Sequence, residues 1–374
     1  MNKIKVAYII SNISKVIMFE WLSQAMNSSK FELYFIFLND SEPEVVSYLR
    51  KNGFTCYVIP YKTKKHIPLA TLKVMYFLFS NKIKILHAHL FDASIVGLLA
   101  AFILRLPKRI HTRHHSDFHH VYFPSAVKYD NLINWLSTDI IVVSKNVKEV
   151  LLSKEKYIKE KIRLIYHGFD LESFFCVKDE RKIKMKEKWG IDFDSTIIGM
   201  VSRLIKLKCV DYSIHGFIKL YEENKNIQLI IANALGDKEY VKYIYSLTSN
   251  IPKDRIIFID YEKDMPTLYH CFDIFLHVPE DPTCEAFGQV YIEAMAAKIP
   301  SVVTLSGIAV EYIVDNENAL VVEYKNSESI FQKLKELIGN KTLKLKIAER
   351  GYQNVKSLFS LETMISQLEK LYSK

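Results

Sequence analysis

Short runs rich in β-branched and aromatic residues alternate along this chain with longer stretches whose apolar positions recur at helical spacing. The runs at Ile4–Ile10, Phe31–Leu38, Thr55–Pro60, Ile83–His89, Arg109–Arg113, Asp139–Ser144 and Arg163–Tyr166 are mostly continuous rather than alternating. Continuous runs of this length are the pattern of parallel strands buried on both faces. Between them, Val16–Met26, Ala70–Ser80 and Ala93–Leu106 have the length of helices. The second half repeats the theme with Thr196–Val201, Gln228–Ala232, Ile256–Ile259, Ile274–Pro279, Ser301–Leu305 and Ala319–Glu323. The alternation predicts an α/β protein built of two doubly wound units with right-handed crossovers. A charge-dense stretch, Lys178-Asp179-Glu180-Arg181-Lys182, marks the join, which gives domains of 1–172 and 173–354. In the last segment, Leu361, Met364, Ile365, Leu368, Leu371 and Tyr372 fall on one helical face. That terminal helix, within 355–374, has two places to go: it closes the second domain or packs back on the first.

Composition narrows the class. The 374 residues suit two or three domains, and 49% hydrophobic with 25% charged residues is ordinary for a folded, water-soluble chain. The longest apolar run, Ala93–Leu104, is twelve residues, against the ~20 that a membrane-spanning helix needs. Five cysteines, without a CxxC pair, argue against a disulfide framework and for a reducing compartment. The opening Met1-Asn2-Lys3-Ile4-Lys5 leads directly into a strand-like segment, without the pattern expected of a secretory leader. The expectation is a cytoplasmic protein, with peripheral contact to the inner face of the plasma membrane left open.

The net charge of +9 is unevenly spread. Residues 1–175 carry 24 Lys and Arg against 14 Asp and Glu, a balance of +10, whereas the remainder carries 27 against 28, a balance of −1. No nucleic-acid motif accompanies the excess, so an anionic membrane face or an anionic substrate ranks above nucleic acid.

The densest chemistry lies in Glu285-Ala286-Phe287-Gly288-Gln289-Val290-Tyr291-Ile292-Glu293-Ala294-Met295-Ala296. It follows a strand and a loop, and turns into a helix near Phe287. Gly288 leaves the first-turn amides uncovered for an anionic ligand. Glu285 lies on the loop and Glu293 well inside the helix. Two glutamates eight apart are weak by themselves, since acidic residues near a helix start merely offset its dipole.

The whole stretch resembles the signature of the family-4 glycosyltransferases of GT-B fold, E-x-F-G-x-x-x-x-E-A-x-A. Other matches follow in that family's order. Ile165-Tyr166-His167-Gly168-Phe169-Asp170 resembles I-x-N-G-V-D, and Gly199-Met200-Val201-Ser202-Arg203-Leu204 with Lys208 resembles G-x-x-x-R-L-x-x-x-K-G. Ile299-Pro300-Ser301-Val302-Val303-Thr304, with Ser306-Gly307 and Glu311, resembles P-V-x-x-T…G-G…E. The resemblance implies two Rossmann-like domains facing across a cleft, hinged near Gly168–Cys176. It assigns Glu285 to the donor-sugar hydroxyls and Glu293 to the nucleotide ribose. The donor diphosphate falls to Arg203 and Lys208, with Phe287 and Gly288. Physical chemistry agrees, since fixed cations and helix amides stabilise a leaving diphosphate without a metal.

His111-Thr112-Arg113-His114-His115-Ser116-Asp117-Phe118-His119-His120 invites a zinc reading, but its spacing fits no standard zinc motif. It resembles instead the family's T-x-H at a first-domain strand end, which makes His114 the histidine facing the reaction centre and His115 the next candidate. His119 and His120 read as histidines solvating a basic loop. His87 and His89 resemble another strand-end pattern, where one of the two is a core residue. The chain also departs from the family. Ser11-Asn12-Ile13-Ser14-Lys15 stands where a glycine-rich turn is usual, with Ser11, Asn12 and Ser14 as candidates for a donor or acceptor loop. Cys209, Lys298 and Ser306 replace glycines, and Ala232-Asn233-Ala234-Leu235-Gly236 thins a G-x-G.

What the resemblance implies is a retaining, metal-independent glycosyltransferase without a cofactor. Its donor is a nucleoside diphosphate sugar, most simply UDP-linked, and its acceptor a saccharide or lipid-linked glycan in cell-envelope or polysaccharide synthesis. Two alternatives stay open: a nucleotide-sugar 2-epimerase of the same fold, and a non-catalytic nucleotide-sugar binder.

Overall fold

The apolar runs become thirteen parallel strands in a computed structural model that describes residues 3–14, 16–155 and 159–374. The chain divides into two compact units, Met1–Phe169 with Leu361–Lys374, and Asp170–Ser360.

In the first unit, strands β1 (Ile4–Ser11), β2 (Phe31–Asn39), β3 (Thr55–Pro60), β4 (Ile85–His89), β5 (Lys108–Arg113), β6 (Asp139–Val142) and β7 (Ile162–Leu164) form one sheet. Their order is β3-β2-β1-β4-β5-β6-β7, so the winding reverses between β1 and β4. Alternate residues of one strand feed two cores, which is why the runs are continuous. Ala7, Ile9, Ile36 and Ala88 pack under helices 67–80 and 91–103, while Val6, Tyr8, Ile10 and Phe35 face the opposite side.

That opposite side takes the terminal helix, Leu361–Ser373. Met364, Ile365, Leu368, Leu371 and Tyr372 are buried in the core of Tyr8 and Phe35. The Tyr372 hydroxyl lies 2.6 Å from the Tyr8 hydroxyl and 2.6 Å from His87 Nδ1. The preceding helix ends at Leu358 and packs on the second unit's helix Gln289–Ala296. Residues 355–358 therefore belong to it rather than to the terminal helix. Both ends of the second unit are set by the same contact, Leu361 N–H donating to Phe169 O at 3.1 Å. The join accordingly falls after Phe169 rather than after 172. Tyr372→Phe strands two buried polar groups, and we expect it to cost about 1–3 kcal/mol, read as a lowered thermal midpoint. An unchanged midpoint would show that this hydroxyl pair contributes nothing.

The second unit contains β8 (Thr196–Val201), β9 (Ile227–Ala232), β10 (Ile256–Ile259), β11 (Ile274–His277), β12 (Ser301–Val303) and β13 (Leu320–Val321), in the order β10-β9-β8-β11-β12-β13. Its winding reverses between β8 and β11. In doubly wound sheets ligands bind beyond the carboxyl ends of the strands at such a reversal. Among the described residues no helix is long and apolar enough to cross a membrane.

Candidate functional site

Beyond β8 the chain runs through Ser202 and the exposed Arg203 into a single helical turn, Lys206–Lys208. Beyond β11 a loop leads to the helix Gln289–Ala296. The two connections are tied together, because Glu280 N–H donates to Leu207 O at 3.0 Å. A third segment closes on them: Ser306 Oγ accepts from Glu285 N–H at 3.2 Å. Gly307 makes that approach possible. A Cβ there would stand 2.8 Å from Phe287 O and 2.9 Å from Glu285 Cβ, and its φ of +58° suits glycine. Gly288, at φ +85°, turns the chain into the helix. The helix therefore starts at Gln289 rather than near Phe287. The Phe287 ring turns inward, 5% exposed and edge-on to Phe359, so its side chain belongs to the core.

Here Glu285 forms an ion pair with Lys208 and takes a hydrogen bond from His277 Nε2 at 3.1 Å. Burial by itself would raise the Glu285 carboxyl, but the Lys208 ammonium and His277 outweigh it and hold the group at about 2. At neutral pH Glu285 is therefore a fixed carboxylate, suited to accept hydroxyl hydrogen bonds and unsuited to hold a proton. Burial holds His277 below its usual value, opposed by the bond to Glu285. Sequence reasoning gave His277 no role. The available signal was its place within the predicted strand Ile274–Pro279, ahead of the Glu285 loop; the structure ends β11 at His277.

Glu293 has a different environment. Its carboxylate accepts from the Tyr269 hydroxyl at 2.8 Å and from Gln289 Nε2 at 3.2 Å. Desolvation raises it to about 7, with the Tyr269 bond opposing. Two carboxylates on one segment are thus separated by their surroundings, one fixed and one that titrates near neutrality.

The first unit carries its own cluster at the β1/β4 reversal. Ser11 Oγ accepts from Ala93 N–H at 3.2 Å. Asn12 supplies the positive φ, +53°, that a glycine would otherwise give, and its amide donates to Asp92 at 3.2 Å. Ser14 is exposed, and Lys15 lies outside the described residues. His114 Nε2 shares a 2.9 Å hydrogen bond with His89 Nδ1, and its ring stacks on His167 with centroids 5.5 Å apart. Burial, then the neighbouring His167 and His111, hold His114 well below its usual value, so it is neutral at pH 7. His87 and His89 are both buried, and His87 Nε2 meets Thr112 Oγ1 at 2.7 Å.

His115 points elsewhere. Its Nε2 lies 3.4 Å from Asp130, whose other oxygen meets His119 Nδ1 at 2.7 Å. Arg113, wholly buried, pairs with Asp130 at 3.3 Å and with Glu155 at 2.7 Å. His120 Nε2 also reaches Glu155, at 3.1 Å. His119 and His120 are therefore partners of buried carboxylates rather than solvated loop residues. Adjacent side chains on an extended strand end point opposite ways, which sends His114 and His115 to different surroundings. His115, His119 and Asp130 are a set close enough to ligate a metal ion. The set fits poorly, because the Arg113 guanidinium already neutralises Asp130 and would repel a cation bound there.

Comparison with known proteins bears on both units. The family model described as Glycosyltransferase Family 4 matches residues 20–173, and that described as Glycosyl transferases group 1 matches residues 181–354. The chain belongs to the GT-B glycosyltransferases of family 4. It is 26% identical to the capsular polysaccharide biosynthesis glycosyltransferase CapM of Staphylococcus aureus, over 81% of this chain and 80% of that one. A UDP-Gal:alpha-D-GlcNAc-diphosphoundecaprenol alpha-1,3-galactosyltransferase of Escherichia coli is 24% identical, covering 99% of this chain and 97% of that one. Among solved structures, Anabaena HepE in complex with UDP and glucose superposes with a TM-score of 0.84 at 17% identity, covering 99% of both chains.

Within this glycosyltransferase the missing glycines have left their backbone shape behind. Cys209, Lys298 and Asn233 hold φ values of +50°, +56° and +58°. A side chain other than Asn or Asp in that region costs roughly 1–2 kcal/mol, so Cys209 and Lys298 strain their loops, whereas Asn233 is tolerated there. Ser306 gains a function in exchange, since its hydroxyl holds the Glu285 amide.

Proposed function

We propose that this glycosyltransferase moves a sugar from a UDP-linked donor, with retention and without a metal, to a saccharide or lipid-linked glycan acceptor in cell-envelope or polysaccharide synthesis, working at the membrane face. The observation that carries the reading is the Lys208–Glu285–His277 cluster at the β8/β11 reversal, with Arg203 and the start of helix Gln289–Ala296 beside it. Arg203 grips the diphosphate, and the helix amides face its developing charge as the glycosidic bond breaks. Glu285 accepts from donor-sugar hydroxyls and is held in place by Lys208 and His277. Glu293 accepts from the ribose, while His114 of the first unit serves the sugar at the reaction centre. Retention follows from front-face attack, with the leaving phosphate taking the acceptor proton. The E. coli relative, named for UDP-galactose and a diphosphoundecaprenol-linked glycan, supports the donor and acceptor classes. The UDP and glucose in the HepE complex support the donor.

The test is release of UDP from a panel of UDP-sugars, with lipid-diphosphate-linked and free saccharide acceptors, with and without chelator. Acceptor-dependent release that survives the chelator, with an α-linked product from an α-linked donor, is expected. Epimer formation without acceptor would sink the transferase reading in favour of an isomerase. Tight donor binding with no turnover on any acceptor would leave a binder.

The pH dependence of binding checks Glu293. Ribose hydroxyls need the ionised carboxylate, and its raised value of about 7 leaves only ~10% ionised near pH 6. Binding that requires a fractionally populated form weakens by that fraction. We expect UDP affinity to fall roughly 8- to 10-fold from about pH 8 to about pH 6 through this group. Glu293→Gln removes that part of the slope, and what persists belongs to the ligand's own phosphate. Calorimetric titrations with identical slopes for both proteins would exclude the assignment.

A further inference from the structure

Some of the basic residues of the first half accompany an unusual set of exposed aromatic residues on three helices of the first unit. Helices 67–80, 91–103 and 127–136 pack side by side over one face of the first sheet and share one core, through Val74, Val96 and Ile133 among others. Their outward sides are not polar. Leu69, Leu72, Tyr76 and Phe79 form an exposed stripe along the first helix, with Tyr76 and Phe79 about three-quarters exposed. Ile103 and Trp135 continue the surface on the other two, and the Trp135 ring lies 5.0 Å from that of Phe102. Surface helices of water-soluble proteins usually turn charged residues outward, and large contiguous apolar patches mark contact surfaces.

The charges that accompany this face have one sign. Lys64 stands over the Phe91 and Tyr129 rings at 5.3 and 5.5 Å, Lys128 over Tyr129 at 5.1 Å, and Arg109 over Phe102 at 5.5 Å. The three helices contain only two acidic residues, Asp92 and Asp130. Asp130 is buried with Arg113, and Asp92 is bound by Asn12. Aromatic rings interleaved with cations match the interfacial zone of a membrane whose headgroups are anionic. A second copy of the chain is the poorer occupant, because a two-fold pairing would set this basic surface against itself.

We propose that the outward faces of helices 67–80, 91–103 and 127–136 form a docking surface for an anionic lipid bilayer, with Tyr76, Phe79 and Trp135 inserted at headgroup depth. The surface rests on the lipid-linked acceptor reading only for its purpose, since its binding needs neither donor nor acceptor.

The experiment is flotation of the full chain with vesicles of phosphatidylcholine alone and of phosphatidylcholine with phosphatidylglycerol, at low and high salt. Partitioning onto the phosphatidylglycerol vesicles is expected, falling as salt rises. Tyr76→Ser with Phe79→Ser should weaken it at least 10-fold, and Lys64→Glu with Lys128→Glu should do so chiefly at low salt. All four side chains are exposed, and each double variant should still release UDP onto a water-soluble acceptor as the parent does. Equal binding to both vesicle types, or binding untouched by both double variants, would overturn the proposal. So would a concentration-dependent dimer in sedimentation that the Tyr76/Phe79 variant abolishes while no vesicle binding is seen. Loss of UDP release in the parent with vesicle binding intact would count against the transferase reading alone.

Discussion

Glu285→Gln is expected to lower kcat by ~10²-fold or more, the size seen when a preorganised transition-state contact is removed, with the donor KM within a few-fold of the parent. The proposed partner of Glu285 is a sugar that flattens and gains positive charge during reaction, so the contact strengthens as the bond breaks. Diphosphate binding follows a different course. With the carboxylate neutralised, Lys208 loses its ion-pair partner and is free to turn to phosphate oxygens. The UDP affinity of the variant should therefore equal or exceed that of the parent. Turnover of the full donor beside calorimetric titration with UDP decides the matter. Normal turnover, or UDP affinity lost as severely as turnover, would remove Glu285 from the sugar. The isosteric Gln is the right probe, because it keeps a side-chain oxygen for the His277 hydrogen bond that Ala would delete.

The second large effect concerns stability. Arg113 is 0% exposed and stands between Asp130 and Glu155, which are 1% and 0% exposed. Arg113→Met fills similar volume but leaves two buried carboxylates facing each other. Breaking a buried pair by removing one partner costs about 3–5 kcal/mol. At roughly 2–4 °C per kcal/mol for a domain of this size, the first thermal transition should fall by about 6–20 °C. The sign of its pH dependence follows from Asp130. Burial would raise that carboxyl, yet the hydrogen bonds from His115 and His119 and the charge of Arg113 together hold it below its usual value. A depressed carboxyl contributes stability that is present above its unfolded value of ~3.9 and lost as pH falls through that range. The deficit of the variant should be largest near neutrality and shrink towards about pH 4, because Asp130 without the Arg113 charge takes up a proton more readily than the depressed carboxyl of the parent. Melting curves at the two pH values check this. A deficit under about 3 °C near neutrality would show that the histidines alone hold these carboxylates.

Much of this protein could be read without coordinates. Hydrophobic periodicity is a property of consecutive residues, and a strand buried on both faces announces itself as a continuous run. The runs at Ile4–Ile10 and Phe31–Leu38 became β1 and β2 nearly residue for residue. The terminal segment displayed its apolar face for the same reason. Arg203, Lys208, Glu285 and Glu293 were singled out by resemblance to a family signature, and the fold places them on the connections that follow β8 and β11.

Tertiary structure decided what depends on residues far apart in the chain. Lys208 and Glu285 are 77 positions apart, and only the reversal between β8 and β11 places their connections side by side with His277. The terminal helix could have covered either unit. It covers the first, where its apolar face is buried beside Tyr8 and Phe35 and the Tyr372 hydroxyl meets Tyr8 and His87. Phe287 turned inward because Phe359 closes the core there, and His115 turned away from His114 because Asp130 lay on its side of the strand end. Sequence determined which segments are strands and helices and which side of each is apolar, since backbone geometry repeats every two or 3.6 residues. It did not determine which buried charge meets which, because that is set by strand order and crossover geometry, and those emerge only when whole faces are packed together.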